Sequence, residues 1–318
     1  IRGFSGKSPT GGSFQRKIPK NERRGMLLES SLRKVRRHCM LLPPLHTDMK
    51  ILFICPRWGS ESLPANEFVS KVREAGYDGI EAGLGDVDPG ADEAIYIAKS
   101  EGLAVATQHY MTANRDLDTH LSLYEQRLRR AAGFQPIFVN SHTGRDLFNI
   151  AENKRVFEVA EKVTAETGIP IYHETHRSRC MHTPWRTREL LDALPSIRLV
   201  LDISHWCNVC ESLLEDQDDI IEPLLPAVAH IHARVGWQQG PQVNDPRAPE
   251  WGDALNAHLK WWDKIIAARR AEGVAQFTIC PEFGPATYLP VLPYTQQPVA
   301  NQWDINVHMM KLLRERYQ

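Results

Sequence analysis

Four residues of metal-ligating type, Glu174, Asp202, His232 and Glu282, each close a short apolar run: Ile169-Pro-Ile-Tyr-His-Glu174, Ile197-Arg-Leu-Val-Leu-Asp202, Val228-Ala-His-Ile-His232 and Phe277-Thr-Ile-Cys-Pro-Glu282. Three carboxylates and one imidazole make a hard, oxygen-rich donor set with no thiolate. Such a set suits Mn²⁺, Mg²⁺ or Co²⁺, with Zn²⁺ also compatible, and it argues against a closed structural zinc. An ion held this way polarises a carbonyl and acidifies the neighbouring C–H, and Glu174 and Glu282 are the carboxylates that would then move the proton. One acidic residue at a strand end is ordinarily a cap or an ion-pair partner. Its repetition at four successive strand ends points to a shared site.

Such residues meet only if one architecture gathers the strand ends. From Lys50 onward, apolar runs at 50–55, 79–83, 103–108, 136–142, 169–174, 197–202, 228–232 and 276–282 alternate with helical stretches near 64–76, 90–101, 119–133, 152–167, 185–194, 211–221, 253–272 and 303–316. The strands read as non-alternating buried runs, which suits a parallel sheet covered by helices. Eight such units predict an α/β fold, a single-domain (β/α)8 TIM barrel, with all strand carboxyl ends at one mouth. A doubly wound open sheet would carry a Gly-rich nucleotide turn after its first strand; here that turn is Cys55-Pro-Arg-Trp-Gly59. A long loop, 233–252, follows the seventh strand, and loops of that length in compact barrels are usually functional.

A second set of residues falls near the same strand ends. His109 ends the third strand, His142 the fourth, and Glu81 lies in the second. His176 and Arg177 follow Glu174, His205 follows Asp202, and Arg234 shares a face with His232 by alternation. Trp58, Trp206 and Trp237 fall just after strands. Singly, each is more often structural. Gathered at one mouth, His205, Arg234, His176, His109, His142 and Trp58 describe a polar, aromatic-walled substrate pocket of the kind that holds a sugar. Cys207-Asn-Val-Cys210 has metal or redox spacing but no second pair, and two reduced thiols at a helix start is the simpler reading. The Trp261-Trp262 pair is read as barrel packing.

The 318 residues carry a net charge of −1 that hides an asymmetry: residues 1–48 hold 11 Lys/Arg and 3 Asp/Glu, the rest 27 and 36. The acidic body disfavours a protein that grips phosphate backbones, so nucleic acid is not the expected partner. No run is long and apolar enough for a membrane span. The basic leader, 1–48, reads as disordered or as a translation artefact preceding a natural start at Met49, with an organelle transit peptide as the alternative. Scattered cysteines fit a reducing, cytoplasmic compartment.

Gly79-Ile-Glu-Ala, Tyr172-His-Glu174, Asp202-Ile-Ser-His205, His230-Ile-His232 and Pro281-Glu-Phe-Gly284 together resemble the xylose isomerase-like TIM-barrel superfamily of sugar phosphate isomerases and epimerases, over roughly 50–316. The resemblance implies one divalent ion on Glu174, Asp202, His232 and Glu282, with His205 touching a substrate oxygen. It implies a metal-dependent isomerase or epimerase acting on a sugar or sugar derivative through a metal-stabilised enediolate. A dehydratase or lyase on the same site is an alternative, and a homo-oligomer is common among such enzymes. Gln238 stands where the epimerases have a substrate-binding Arg, a role Arg234 is placed to take over. No Gly-rich phosphate cradle follows strands seven and eight, which points to an unphosphorylated substrate. The rival is a type IV apurinic endonuclease-like zinc phosphodiesterase on abasic DNA. It would use His109, His142, Glu174, Asp202, His205, His232, Asp245 and Glu282, although Arg247 replaces that family's further His.

Overall fold

Eight parallel strands in an open sheet would leave two unpaired edges, and here the chain closes those edges on each other. A computed structural model describes residues 49–318; the basic leader, 1–48, lies outside the described residues. The strands are β1 (Lys50–Pro56), β2 (Gly79–Gly83), β3 (Ala104–His109), β4 (Phe138–Ser141), β5 (Ile171–Glu174), β6 (Leu199–Leu201), β7 (Val228–His232) and β8 (Gln276–Cys280). Each pairs in parallel with its sequence neighbours, and β1 closes on β8 through Ile51↔Phe277 and Phe53↔Ile279. The result is a single-domain TIM barrel over residues 49–318.

Among the described residues the intervening helices are α1 (Ala65–Ala75), α2 (Ala91–Ser100), α3 (Leu117–Gly133), α4 (Ile150–Thr167), α5 (Pro184–Ala193), α6 (Ile203–Val209), α7 (Asp218–Ile221), α8 (Gly252–Ala271) and α9 (Gln302–Tyr317). Their ends follow local chemistry. Asn149 and Glu152 form a reciprocal capping box at the start of α4. Gly76 ends α1 at φ +89°, a conformation L side chains avoid.

The predicted helix 211–221 is not one helix. The chain instead turns at once into α6 after β6, breaks over 210–217, and resumes as the short α7. Glu211 (φ +48°) and Leu214 (φ +65°) occupy left-handed conformations that no helix tolerates. Cys207 and Cys210 therefore sit at the end of α6 rather than at a helix start. Both are free thiols, and burial raises the pKa of each.

The main core fills the annulus between strands and helices. Ile51, Phe53, Ile80 and Ile279 point outward into it and meet Phe68, Trp261, Trp262 and Met309. Both indoles of the Trp261-Trp262 pair are buried there, as barrel packing requires. The apolar filling of the barrel interior is slight: Leu52, Ile54 and Cys280, against Ala104. Above it the interior turns polar, with Glu81, Asn140, His230, His232 and Thr278 all buried. A barrel centre filled with ionisable side chains costs stability, so its retention points to chemistry at the mouth.

Candidate metal centre and active site

Glu174 is the last residue of β5, and His232 the last of β7. Asp202 follows β6 as the N-cap of α6, with Oδ1 accepting from the Ser204 backbone N–H at 3.0 Å and from its hydroxyl at 2.5 Å. Glu282 lies two residues beyond β8 with φ +52°, a left-handed backbone that disfavours any residue with a Cβ. Ligand-type atoms of these four buried residues all lie within 4.8 Å of one another.

Two observations on this geometry fit a cation. His232 Nδ1 stands 2.7 Å from Glu282 Oε2 and 3.5 Å from Glu174 Oε2. Despite that approach, Nδ1 and Glu282 Oε2 are both buried with no well-aligned hydrogen-bond partner among the described residues. Lone-pair atoms aimed at a common point about 2.1 Å from each would be separated by about 3 Å, as neighbouring ligands of one ion are. The charges also fit. Burial opposes ionisation of Asp202 and raises its pKa to about 6, against the pull of Arg234. Burial likewise disfavours protonated His232, but Glu282, Glu81 and Glu174 outweigh it and hold that imidazole well above its usual pKa. The cluster draws in positive charge.

Glu81 orients His232. Its Oε2 lies 3.1 Å from His232 Nε2 and 3.5 Å from His230 Nε2, and its Oε1 accepts from Asn140 Nδ2 at 3.0 Å. That places the ring proton on Nε2 and leaves Nδ1 facing the carboxylates. Asn140 also donates to Glu174 Oε2 at 2.7 Å, and Gln108 donates to Glu282 Oε1 at 3.2 Å. Burial would raise the Glu174 pKa, but the imidazoles of His142 and His232 outweigh it and hold it well below the usual range.

The cluster opens into a cavity of about 560 Å³, within the range of small-molecule sites. Glu174, Glu282, His142, His176, Arg234 and Trp58 line it, so six of the expected site residues share one wall system. His205 does not reach the surface. It is fully buried beneath Arg234, whose Nη2 lies 2.9 Å from its Nε2, and burial followed by His176 and Arg234 keeps it neutral. Arg234 also pairs with Asp202 and lies 3.5 Å from Glu282 Oε2. His109 is set back from the cavity, 2.8 Å from Thr112 Oγ1, with burial holding it neutral. Of the tryptophans only Trp58 lines the cavity. Trp206 is core, donating to the Met181 carbonyl, and Trp237 packs on Trp251.

Sequence reasoning missed Tyr110, Gln108, Arg179 and Tyr288, which also line the cavity. Tyr288 packs edge-on against Trp58 at 5.0 Å and under Arg234 at 4.8 Å. Tyr110, Arg179 and Tyr288 lie on loops with no periodic signal, and Gln108 is the penultimate residue of β3. A further close group, His142, Glu174 and His176, adjoins the first, and a third joins Glu81 and His232 to Cys280. Burial and the charges of Glu81 and Glu282 keep the Cys280 thiol protonated, so it is a poor ligand. Asp245 is bound instead by Arg247 at 2.7 Å and joins no such group among the described residues.

Fold and site together define a (β/α)8 barrel with carboxylates and imidazoles converging at the carboxyl ends of its strands. The chain matches the family described as xylose isomerase-like TIM barrel over residues 69–287, and it belongs to that family. No curated protein matches it. Among solved structures, it is similar to a xylose isomerase-like TIM barrel protein from Mycobacterium smegmatis in complex with magnesium: 14% identity, TM-score 0.54, covering 84% of this chain and 98% of that one. It is similar to the probable 3-DHS dehydratase AsbF of Bacillus anthracis, at 18% identity and TM-score 0.53, covering 84% and 100%. It is also similar to the 3-keto-D-glucoside 4-epimerase YcjR of E. coli, at 15% identity and TM-score 0.52, covering 84% and 100%. An endonuclease IV from Thermus thermophilus matches at 15% identity and TM-score 0.51, covering 84% and 99%. At such identities these likenesses establish the shared fold, in a family whose members are enzymes of several kinds.

Proposed function

We propose that the protein is a divalent-metal-dependent isomerase or epimerase acting on a sugar or sugar derivative through an enediolate. The observation that carries the reading is the convergence of Glu174, Asp202, His232 and Glu282 beside a cavity that two of them line. These four residues would hold the ion, which supplies Lewis acidity to a substrate carbonyl and its neighbouring hydroxyl. Glu174 and Glu282 are the proton-transfer groups. An amide donor holds one oxygen of each, Asn140 on Glu174 Oε2 and Gln108 on Glu282 Oε1, which fixes both carboxylates in the cavity wall. Removal of the α-proton by one carboxylate and return by the other inverts the carbon, and two carboxylates on the cavity favour this two-base epimerisation. Arg234 adds a fixed positive charge toward the developing oxyanion. Trp58, Tyr110 and Tyr288 form the apolar walls, and His142 and His176 the polar edge.

The phosphodiesterase alternative needs three zinc sites. His109 is set back, Asp245 is held by Arg247, and neither joins a ligand cluster among the described residues, which disfavours it. Elemental analysis of the purified protein, followed by solvent-deuterium uptake into a panel of aldoses and ketoses, tests the proposal. A mononuclear Mn, Co, Mg or Zn content with exchange at a carbon beside the carbonyl is expected. A trinuclear zinc content with cleavage of abasic DNA would overturn it.

A further inference from the structure

Three buried arginines stand at the mouth, and they differ in what neutralises them. Arg57 is paired to Asp88 at 2.6 Å, and Arg234 to Asp202 and Glu282. Arg179, only 8% exposed, lines the cavity and has no ion-pair partner among the described residues. Its Nη1 and Nη2 donate to the carbonyls of Thr112 and Tyr110, while Nε has no partner among the described residues. Carbonyls orient a guanidinium without cancelling its charge.

Two more arginines bind the same stretch. Arg127 Nη1 donates to Thr112 Oγ1 at 3.1 Å and Arg145 Nη1 to the Ala113 carbonyl, and neither has a carboxylate partner among the described residues. Burial and the nearby Arg145 push the pKa of Arg179 down against the opposing pull of Glu174, which acts from a distance without forming an ion pair. A buried, uncompensated charge is costly unless something supplies its counterpart.

We propose that Arg179, backed by Arg127 and Arg145, forms a subsite for an anionic group, a carboxylate or a phosphate, at the non-reacting end of the substrate. The substrate class is then an acidic sugar derivative rather than a neutral sugar. The assignment of that end rests on the proton-transfer reading of Glu174 and Glu282. The charge argument does not.

Binding of three polyols to metal-stripped protein tests the subsite: gluconate, glucitol 6-phosphate and glucitol, by isothermal titration. None carries a carbonyl, so the result is independent of enediolate chemistry, and failure of the deuterium assay would leave it intact. At least one anionic polyol is expected to bind about tenfold or more tightly than glucitol, as charge-assisted hydrogen bonds allow. Which of the two binds better tells carboxylate from phosphate. Arg179→Gln should bring the preference within about twofold, and Arg179→Lys should keep part of it. If Arg179→Gln does not fold, Arg127→Gln and Arg145→Gln should each weaken the anion without changing glucitol. Equal binding of all three polyols, no binding of any, a preference that survives Arg179→Gln, or anion binding unmoved by the other two substitutions would overturn the proposal.

Discussion

Glu81 offers a sharp test of the metal centre, because it stands outside the four proposed ligands and holds one of them, His232, and the neighbouring Asn140 in place. Both of its oxygens accept: Oε1 from Asn140 Nδ2 at 3.0 Å and Oε2 from His232 Nε2 at 3.1 Å. Glu81→Gln keeps the shape but replaces one acceptor with an NH2 donor. Turned toward Asn140, that donor opposes the amide that also holds Glu174. Turned toward His232, it forces the ring proton onto Nδ1, aimed into the ligand cluster and unable to coordinate. Substitutions of this kind weaken metal binding by about 10–100-fold, or ~1.4–2.7 kcal/mol. Titration of Mn²⁺ or Co²⁺ into metal-stripped wild-type and Glu81→Gln protein measures the difference. A dissociation constant within about twofold of wild type would refute the assignment of Nδ1 as the metal-facing atom.

Three other outcomes follow from the same geometry. Glu282→Gln should abolish turnover in single-substrate kinetics; survival within about tenfold, only ~1.4 kcal/mol on the barrier, would remove Glu282 from proton transfer. Gly284→Ala would place a Cβ 2.1 Å from the indole of Trp58, costing about 1–3 kcal/mol in urea unfolding and raising KM as the cavity wall shifts; an unchanged KM would count against Trp58 as a wall. Acid stability is the last. His258 donates from Nδ1 to the Ala254 carbonyl and accepts from the Gly236 N–H at Nε2, and burial lowers its pKa from 6.5 to about 4 against the raising effect of Ala254. A depressed folded pKa gives stability that is complete above about 6.5 and lost as pH falls through about 4, worth about 3 kcal/mol. Urea midpoints from pH 7 to 4 should fall more steeply in wild type than in His258→Gln; equal slopes would refute the coupling.

The barrel was legible because its signals are local. Buried runs such as Ile51–Cys55, the capping pair Asn149 and Glu152, and the closing glycines each declare an element within a few residues. The convergence of Glu174, Asp202, His232 and Glu282 was legible for a related reason: a parallel barrel turns four sequence positions at strand ends into four spatial neighbours. What escaped depends on long-range closure or on side-chain direction. His109 ends its strand as expected, yet its ring turns to Thr112 and Ser141 rather than to the cavity. Tyr288 and Arg179 reach the cavity from loops whose paths no periodicity encodes. The stretch 211–221 carries no local mark of the left-handed backbone that Glu211 and Leu214 adopt, so the turn there is invisible in the sequence.

The left-handed backbone at Glu282 has an evolutionary corollary. A glycine or asparagine there would sit more comfortably, by roughly 1 kcal/mol or more, than the glutamate does. The substitutions most favourable to folding at this position would thus be those that delete a proposed ligand. Directed selection for heat resistance alone should drift toward them, yielding a hardier barrel with no chemistry. A lineage in which position 282 had relaxed to glycine would mark a barrel that had been released from catalysis and kept for its scaffold.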